Sequence, residues 1–193
     1  MIYKGVRLNF CPSVYPPSDD SYLLADNIQT KESEKVLDMG TGCGILGIIA
    51  SKMGGDVTSS DINEKSLKCT RKNAELNGVE LALVKSDLFD GIRGKYDLIM
   101  FNPPYLPKDL LDHDDELKLS WEGGDTGIEV TDRFLEGLGG HLSESGKALI
   151  IQSSLSMPPN GPSFKSFGLT GRAIDEKPLF FEKLYVYIAK NCC

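Results

Sequence analysis

Short apolar runs alternate with helix-period stretches along most of this chain, and that alternation limits the fold more than any other feature. Lys35 to Met39 reads as a buried strand. Ile45, Leu46, Ile48, Ile49 and Met53 follow at helical spacing, with Gly54-Gly55 as the stop. Asp56 to Asp61 reads as a second strand. Asn63 then looks like the N-cap of a helix through Leu67 and Ala74, closed by Asn77-Gly78. Leu81 to Asp87 is a third strand and Tyr96 to Phe101 a fourth, whose Leu98-Ile99-Met100-Phe101 run suits a central parallel strand. Val130, Phe134 and Leu138 predict a helix that stops at Gly139-Gly140, leaving His141 beyond it as a surface or cap residue. Lys147 to Gln152 is a fifth strand, and Leu184 to Ala189 closes the sheet. The pattern predicts an α/β chain with a doubly wound, mostly parallel sheet.

At 193 residues the chain fits a single domain spanning 1–193. With 21 Lys+Arg against 28 Asp+Glu, the formal charge is −7, which argues against a protein built chiefly to grip phosphate backbones. No apolar run is long enough to span a membrane, and the first residues lack a signal-peptide layout, so the expected location is the cytoplasm. Cys11, Cys43, Cys69, Cys192 and Cys193 form no C-x-x-C pair, and no His pair has ligand spacing. They read as free thiols in a reducing compartment, with no metal site. Pro158, Pro159, Pro162 and Gly161 break any helix between Ser156 and Gly168, so the cover expected on that face is irregular or much shortened.

Three strand ends carry acids or glycines suited to a ligand. In Asp38-Met39-Gly40-Thr41-Gly42-Cys43-Gly44 the glycines let backbone approach a ligand, and the helix behind them offers free N–H groups. Asp61 ends the next strand, where a carboxylate accepts from ribose hydroxyls. Gly42, Gly44 and Gly47 also fit the dinucleotide pattern G-x-G-x-x-G. Asp38, ahead of the first glycine, would repel a pyrophosphate and favour an ammonium or sulfonium, which points to S-adenosylmethionine (AdoMet). A dinucleotide or an unliganded glycine turn stays open. Asp87 ends the third strand, where it can accept from an adenine amino group while Leu88 packs on the ring; a plain turn role is the alternative.

Asn102-Pro103-Pro104-Tyr105 directly follows the fourth strand. Each proline keeps its predecessor extended, so the tetrapeptide is a stiff hook. The Asn102 side-chain carbonyl and the Pro103 backbone carbonyl are two acceptors for the two donors of an –NH₂ group, and Tyr105 adds an aromatic face. Upstream, Ser18 or Asp19 is a plausible N-cap for a helix through Leu23, Leu24 and Ile28. Ser21 at its start is placed to close over the methionine end of AdoMet. His113 lies in the acidic loop after the hook and reads as solvated.

These residues resemble class I AdoMet-dependent methyltransferases, and more narrowly the HemK-type glutamine N5-methyltransferases that modify peptide-chain release factors. The resemblance rests on Val14-Tyr15-Pro16-Pro17-Ser18-Asp19-Asp20-Ser21, Asp38 to Gly44, Asp61, Asp87-Leu88, Asn102 to Tyr105, Trp121-Glu122-Gly123-Gly124 and Gly127 to Phe134. It implies a Rossmann-like seven-stranded sheet, with residues 1–30 as a strand and helix cap over the cofactor site. The implied AdoMet residues are Ser21, Asp38, Gly40, Thr41, Gly42, Gly44, Asp61, Ile62, Asp87, Leu88 and Asn102. Asn102, Pro103, Pro104 and Tyr105 would hold the target amide, the glutamine of a Gly-Gly-Gln loop. The short length is similar to the archaeal and eukaryotic branch, whose members often work with a small zinc-binding activator covering the third-strand edge. Two other readings are weighed: a nucleic-acid adenine-N6 methyltransferase using a similar hook, and a catalytically silent AdoMet-fold scaffold. The negative charge disfavours the first, and intact Asp61 and Asn102 disfavour the second.

Overall fold

The computed structural model describes residues 1–108, 118–156 and 161–192. Two short strands, β1 (Ile2–Tyr3) and β2 (Val6–Arg7), pair with each other ahead of α1 (Asp19–Asp26). The central run is β3 (Lys35–Met39), α2 (Ile45–Lys52), β4 (Asp56–Asp61), α3 (Glu64–Asn77), β5 (Ala82–Lys85) and β6 (Tyr96–Phe101). After it come α4 (Lys118–Trp121), α5 (Glu129–His141), β7 (Leu142–Ser153), β8 (Leu169–Pro178) and β9 (Lys183–Asn191). The seven-stranded sheet has the order β5-β4-β3-β6-β7-β9-β8. β5 through β7 run parallel; β9 is antiparallel to β7, and β8 to β9. Chain direction through the sheet reverses between β3 and β6, and doubly wound sheets bind ligands at the strand C-termini beside such a switch point.

Period-2 alternation on β6 sorts the core. Leu98 and Met100 pack with Ile48, Ile49 and Leu24 from α2 and α1. Ile99 and Phe101 pack on the other face with Phe134, Leu135 and Leu138 of α5. Where the proline-rich stretch falls, the described part holds a single 3₁₀ turn, Phe164–Phe167, which seats Phe164 against Tyr187. Residues 157–160, like His113 and Cys193, lie outside the described residues.

Several expectations need correction. Cys11 and Cys69 form a disulfide and are not free thiols. The segment before α1 lies along α3: Asn9 N–H donates to Asn73 Oδ1 and Arg7 N–H to Asn77 Oδ1, both at 2.9 Å. That docking brings together two cysteines 58 residues apart. Cys43 stays free and buried, and Cys192 free and exposed. α5 runs through Gly139-Gly140 to His141. Asn191 Nδ2 caps the Gly139 carbonyl from β9 (3.2 Å), and the His141 ring stacks on Phe89, so tertiary contacts carry the helix past its glycines. β7 starts at Leu142, five residues earlier than its apolar run, because Leu142 pairs with Tyr96 ahead of a register shift. β8 has no counterpart among the expected strands. It is an edge strand with mostly exposed residues, so it lacks an apolar alternation to reveal it. Among the described residues no helix is long and apolar enough to cross a membrane.

Candidate active site

A cavity of about 270 Å³ opens at the C-terminal ends of β3, β4 and β6, roofed by the start of α1. Its floor is the loop from β3 to α2. Gly40, Gly42 and Gly44 all have positive φ, and a Cβ on Gly44 would come within 2.9 Å of the Thr70 side chain. Asp38 braces this loop from beneath: its Oδ2 accepts from Thr41 Oγ1 (2.6 Å) and from Gly47 N–H (3.0 Å). The residue is fully buried, and loss of hydration pushes its carboxyl up to about 7, against those two bonds, which favour ionisation.

Asp61 closes the next wall. Its Oδ2 accepts from Gly42 N–H (3.0 Å) and its Oδ1 from Asn63 N–H (2.8 Å). Desolvation raises its pKa, while these amides oppose the rise. Asn63 caps α3 as its sequence suggests, accepting from Lys65 N–H. Ile62 beside it is half exposed and lines the cavity. Past β5, Leu88 adopts φ +45°, a conformation uncommon for a branched side chain. Ser86 Oγ holds that turn, donating to Leu88 O and accepting from Gly91 N–H. Asp87 Oδ2 pairs with Arg133 of α5 at 2.9 Å.

The opposite wall joins distant segments. Asp20, buried at the start of α1, accepts from the Tyr15 hydroxyl (3.0 Å), the Tyr105 hydroxyl (3.1 Å) and Ser21 N–H (2.5 Å). Burial first, and then the Asp20 charge, raise both tyrosines far above the ordinary phenol range. Asn102 Nδ2 lies 3.5 Å from Ser21 Oγ, and its Oδ1 is buried with no hydrogen-bond partner. Leu106 N–H donates to Trp121 O and Gly123 N–H to Leu106 O, so the Trp121–Gly123 segment is zipped onto the residue after the hook. Gly123 has to be glycine: a Cβ there would sit 2.7 Å from the Pro104 carbonyl oxygen. Trp121 meets Tyr15 edge-on, with ring centroids 4.8 Å apart.

Ser21, Gly40, Thr41, Gly42, Asp61, Ile62, Asp87, Leu88 and the whole of Asn102 to Tyr105 thus line one cavity. Asp38 and Gly44 stand behind its wall and shape it. Ser18 begins α1 without a side-chain capping bond. Sequence reasoning assigned no role to Tyr15, Asp20, Trp121 or Arg133. All four sat inside motifs already singled out, and for Tyr15, Asp20 and Trp121 the signal available was a buried-type aromatic or acid flanking a proline or glycine pair.

The donor set suits AdoMet. A glycine floor admits close backbone approach, and Asp20 and Asp61 offer carboxylates to a cationic amino acid and a ribose. A family model described as "Methyltransferase small domain" matches residues 17–117. A Methanocaldococcus jannaschii chain, MJ0928, bearing the name of a protein N5-glutamine methyltransferase, is 39% identical over 155 residues, 79% of each chain. The mouse protein "Methyltransferase HEMK2" is 32% identical over 148 residues, 69% of this chain and 68% of that one. Among solved structures, the E. cuniculi Mtq2–Trm112 complex, titled as responsible for methylation of the eRF1 translation termination factor, superposes with a TM-score of 0.72. Its identity is 26%, over 93% of this chain and 99% of that one.

Proposed function

The chain belongs to the methyltransferase small-domain family and, within it, to the HemK-type protein N5-glutamine methyltransferases; from that premise we propose that it methylates the side-chain amide of the glutamine in the Gly-Gly-Gln loop of a peptide-chain release factor. The observation that carries this reading is the Asn102 Oδ1, a buried acceptor without a partner in the cavity wall, set at the start of a rigid diproline hook. When bound, AdoMet supplies an electrophilic methyl carbon on a sulfonium.

The protein's own residues provide position and dryness. Asp61 would hold the ribose hydroxyls, and Ile62 and Leu88 would hold the adenine. Ser21 and Asp20 close over the methionine end. Asn102 Oδ1 and the Pro103 carbonyl accept the two N–H bonds of the substrate amide. That nitrogen is a weak nucleophile because its lone pair is delocalised into the carbonyl. Two fixed acceptors would orient the amide, and the Tyr105–Asp20–Tyr15 chain holds the hook in register. Orientation of this kind is worth roughly 7–11 kcal/mol in well-placed reactions.

A small partner seated on the exposed edge strand β5 fits the same reading. The cytoplasm is the site of action that a release-factor substrate calls for. On that reading the Cys11–Cys69 bond is a disulfide kept inside the cell, as intracellular proteins of hyperthermophiles keep theirs. The test is mass spectrometry of a Gly-Gly-Gln release factor after incubation with AdoMet and this protein, with and without candidate partners. A gain of one methyl on the glutamine is expected; an unmodified glutamine under every condition refutes the proposal.

A further inference from the structure

Five buried side-chain polar atoms among the described residues have no hydrogen-bond partner: Asp38 Oδ1, Ser59 Oγ, Asn102 Oδ1, Trp121 Nε1 and Gln152 Oε1. Of these residues, Asn102 and Trp121 line the cavity and the other three do not. One orphan is an acceptor. The other, an indole N–H, can only donate. A buried polar group left unpaired costs about 1–3 kcal/mol, so two lining residues with orphans of opposite sense suit a molecule that carries both a donor and an acceptor.

Trp121 is fixed in place. Its carbonyl accepts from Leu106 N–H at 2.8 Å, one residue beyond the hook, and its ring abuts Tyr15, which is itself tied to Asp20. We propose that Trp121 Nε1 donates to the side-chain carbonyl oxygen of the substrate glutamine while Asn102 accepts from its –NH₂; this rests on the glutamine reading above. Together the two groups recognise a primary carboxamide. An alkyl amine lacks the acceptor, and a carboxylate lacks the donor.

The role is positioning and selection. Donation to a carbonyl oxygen strengthens amide resonance and withdraws electron density from nitrogen, so it cannot activate the nucleophile. Loss of the N–H therefore raises KM for the glutamine substrate and leaves kcat nearly unchanged.

The test replaces Trp121 with benzothienylalanine, which keeps the ring shape and exchanges the N–H for sulfur, alongside Trp121→Phe. Both variants are expected to raise KM for a Gly-Gly-Gln substrate about tenfold, with kcat within about twofold and AdoMet affinity unchanged by calorimetry. The chain contains one tryptophan, so intrinsic fluorescence reports on this residue alone, and a saturable emission change is expected as the glutamine peptide is titrated. A sulfur isostere with wild-type KM overturns the inference, as does an emission unmoved by a peptide that the enzyme methylates. Wild-type protein inactive on every glutamine substrate overturns the functional reading itself, and this inference with it.

Discussion

At the end of the cavity proposed to hold the cofactor, the bond that links the glycine loop to β4, Gly42 N–H to Asp61, spans 19 residues. At the end proposed to hold the substrate, Tyr105 reaches Asp20 across 85 residues and Asn102 reaches Ser21 across 81. The first end is made largely of backbone N–H groups facing carboxylates, on consecutive strands of the buried sheet. The second is a clamp of side chains, closed only when α1 settles on the strand tips. A scaffold of the first kind is fixed as soon as β3 and β4 pair. A clamp of the second kind depends on packing from three separate segments, so its geometry can fail while the rest of the fold stands.

That difference predicts separable defects. The largest effect belongs to Asn102→Ala, which removes the orphan acceptor and nothing that braces the glycine loop. Turnover on the glutamine substrate should fall at least 10²–10³-fold, the scale seen when a pre-organised polar contact is deleted, while AdoMet affinity by calorimetry changes less than about threefold. Equal loss of both would merge the two ends into one unit. Asp61→Ala tests the other side. It deletes charge-assisted bonds worth about 1.5–3 kcal/mol, so AdoMet affinity should weaken roughly 10- to 100-fold, with kcat largely recovered at saturating AdoMet. Failure of high AdoMet to restore turnover would show that Asp61 also serves the substrate end.

Asp20→Ala addresses the clamp directly. It leaves the Tyr15 and Tyr105 hydroxyls and Ser21 N–H without their acceptor, at about 1–3 kcal/mol for each buried group. Denaturant melts should show a clear stability loss, and kcat should drop about tenfold or more. Unchanged melts and an unchanged kcat, with only AdoMet affinity lowered, would show that Asp20 serves the methionine end alone and does not hold the clamp.

How far each end could be read in the sequence follows from the same contrast. Strands Lys35–Met39 and Tyr96–Phe101 carry their own apolar signal, and they and Asp56–Asp61 sit at the expected residues, as do the Asn63 cap and the Gly78 stop. The cofactor loop was legible for the same reason, since its glycines and acids lie close together in the chain. Asp20 and Trp121 were not legible as functional groups, because their meaning comes from contacts with Tyr15, Tyr105 and Leu106 that only tertiary packing creates. The Cys11–Cys69 bond was hidden in the same way, and β8 was hidden by its exposure at the sheet edge. Asp38 was legible as an acid at the right place, but its burial beneath the glycine loop, where it accepts from Thr41 and Gly47, was not.

Asp38 also gives its end of the cavity a pH signature. Its carboxyl is raised to about 7 in the folded protein and lies near 4 when unfolded. Between those values the unfolded chain releases a proton that the folded one keeps, so stability falls as pH rises from about 4 to about 7 and is level above that. At about 1.4 kcal/mol per pKa unit the change is on the order of a few kcal/mol. In Asp38→Asn the side-chain carbonyl still accepts from Thr41 and Gly47, and nothing there titrates. Melting temperatures across pH 5–8 should therefore decline less in the variant than in the wild type. Parallel profiles would show that the carboxylate is ionised throughout.

The smallest effect is expected where the two ends meet. Asp87 closes the cofactor side, and Arg133 reaches it from α5, which also carries the core residues beneath the hook. The side chains are 54% exposed for Arg133 and 42% for Asp87, so water screens the pair, and exposed ion pairs contribute about 0–1 kcal/mol. Arg133→Ala should shift AdoMet affinity less than about threefold, with a shift that shrinks further at high salt. Asp87 would then be free to accept from the adenine amino group, so a modest tightening is as consistent with its cofactor role as a modest loss. A tenfold or greater weakening, insensitive to salt, would mean that Arg133 itself touches the ligand and that α5 belongs to the cofactor end.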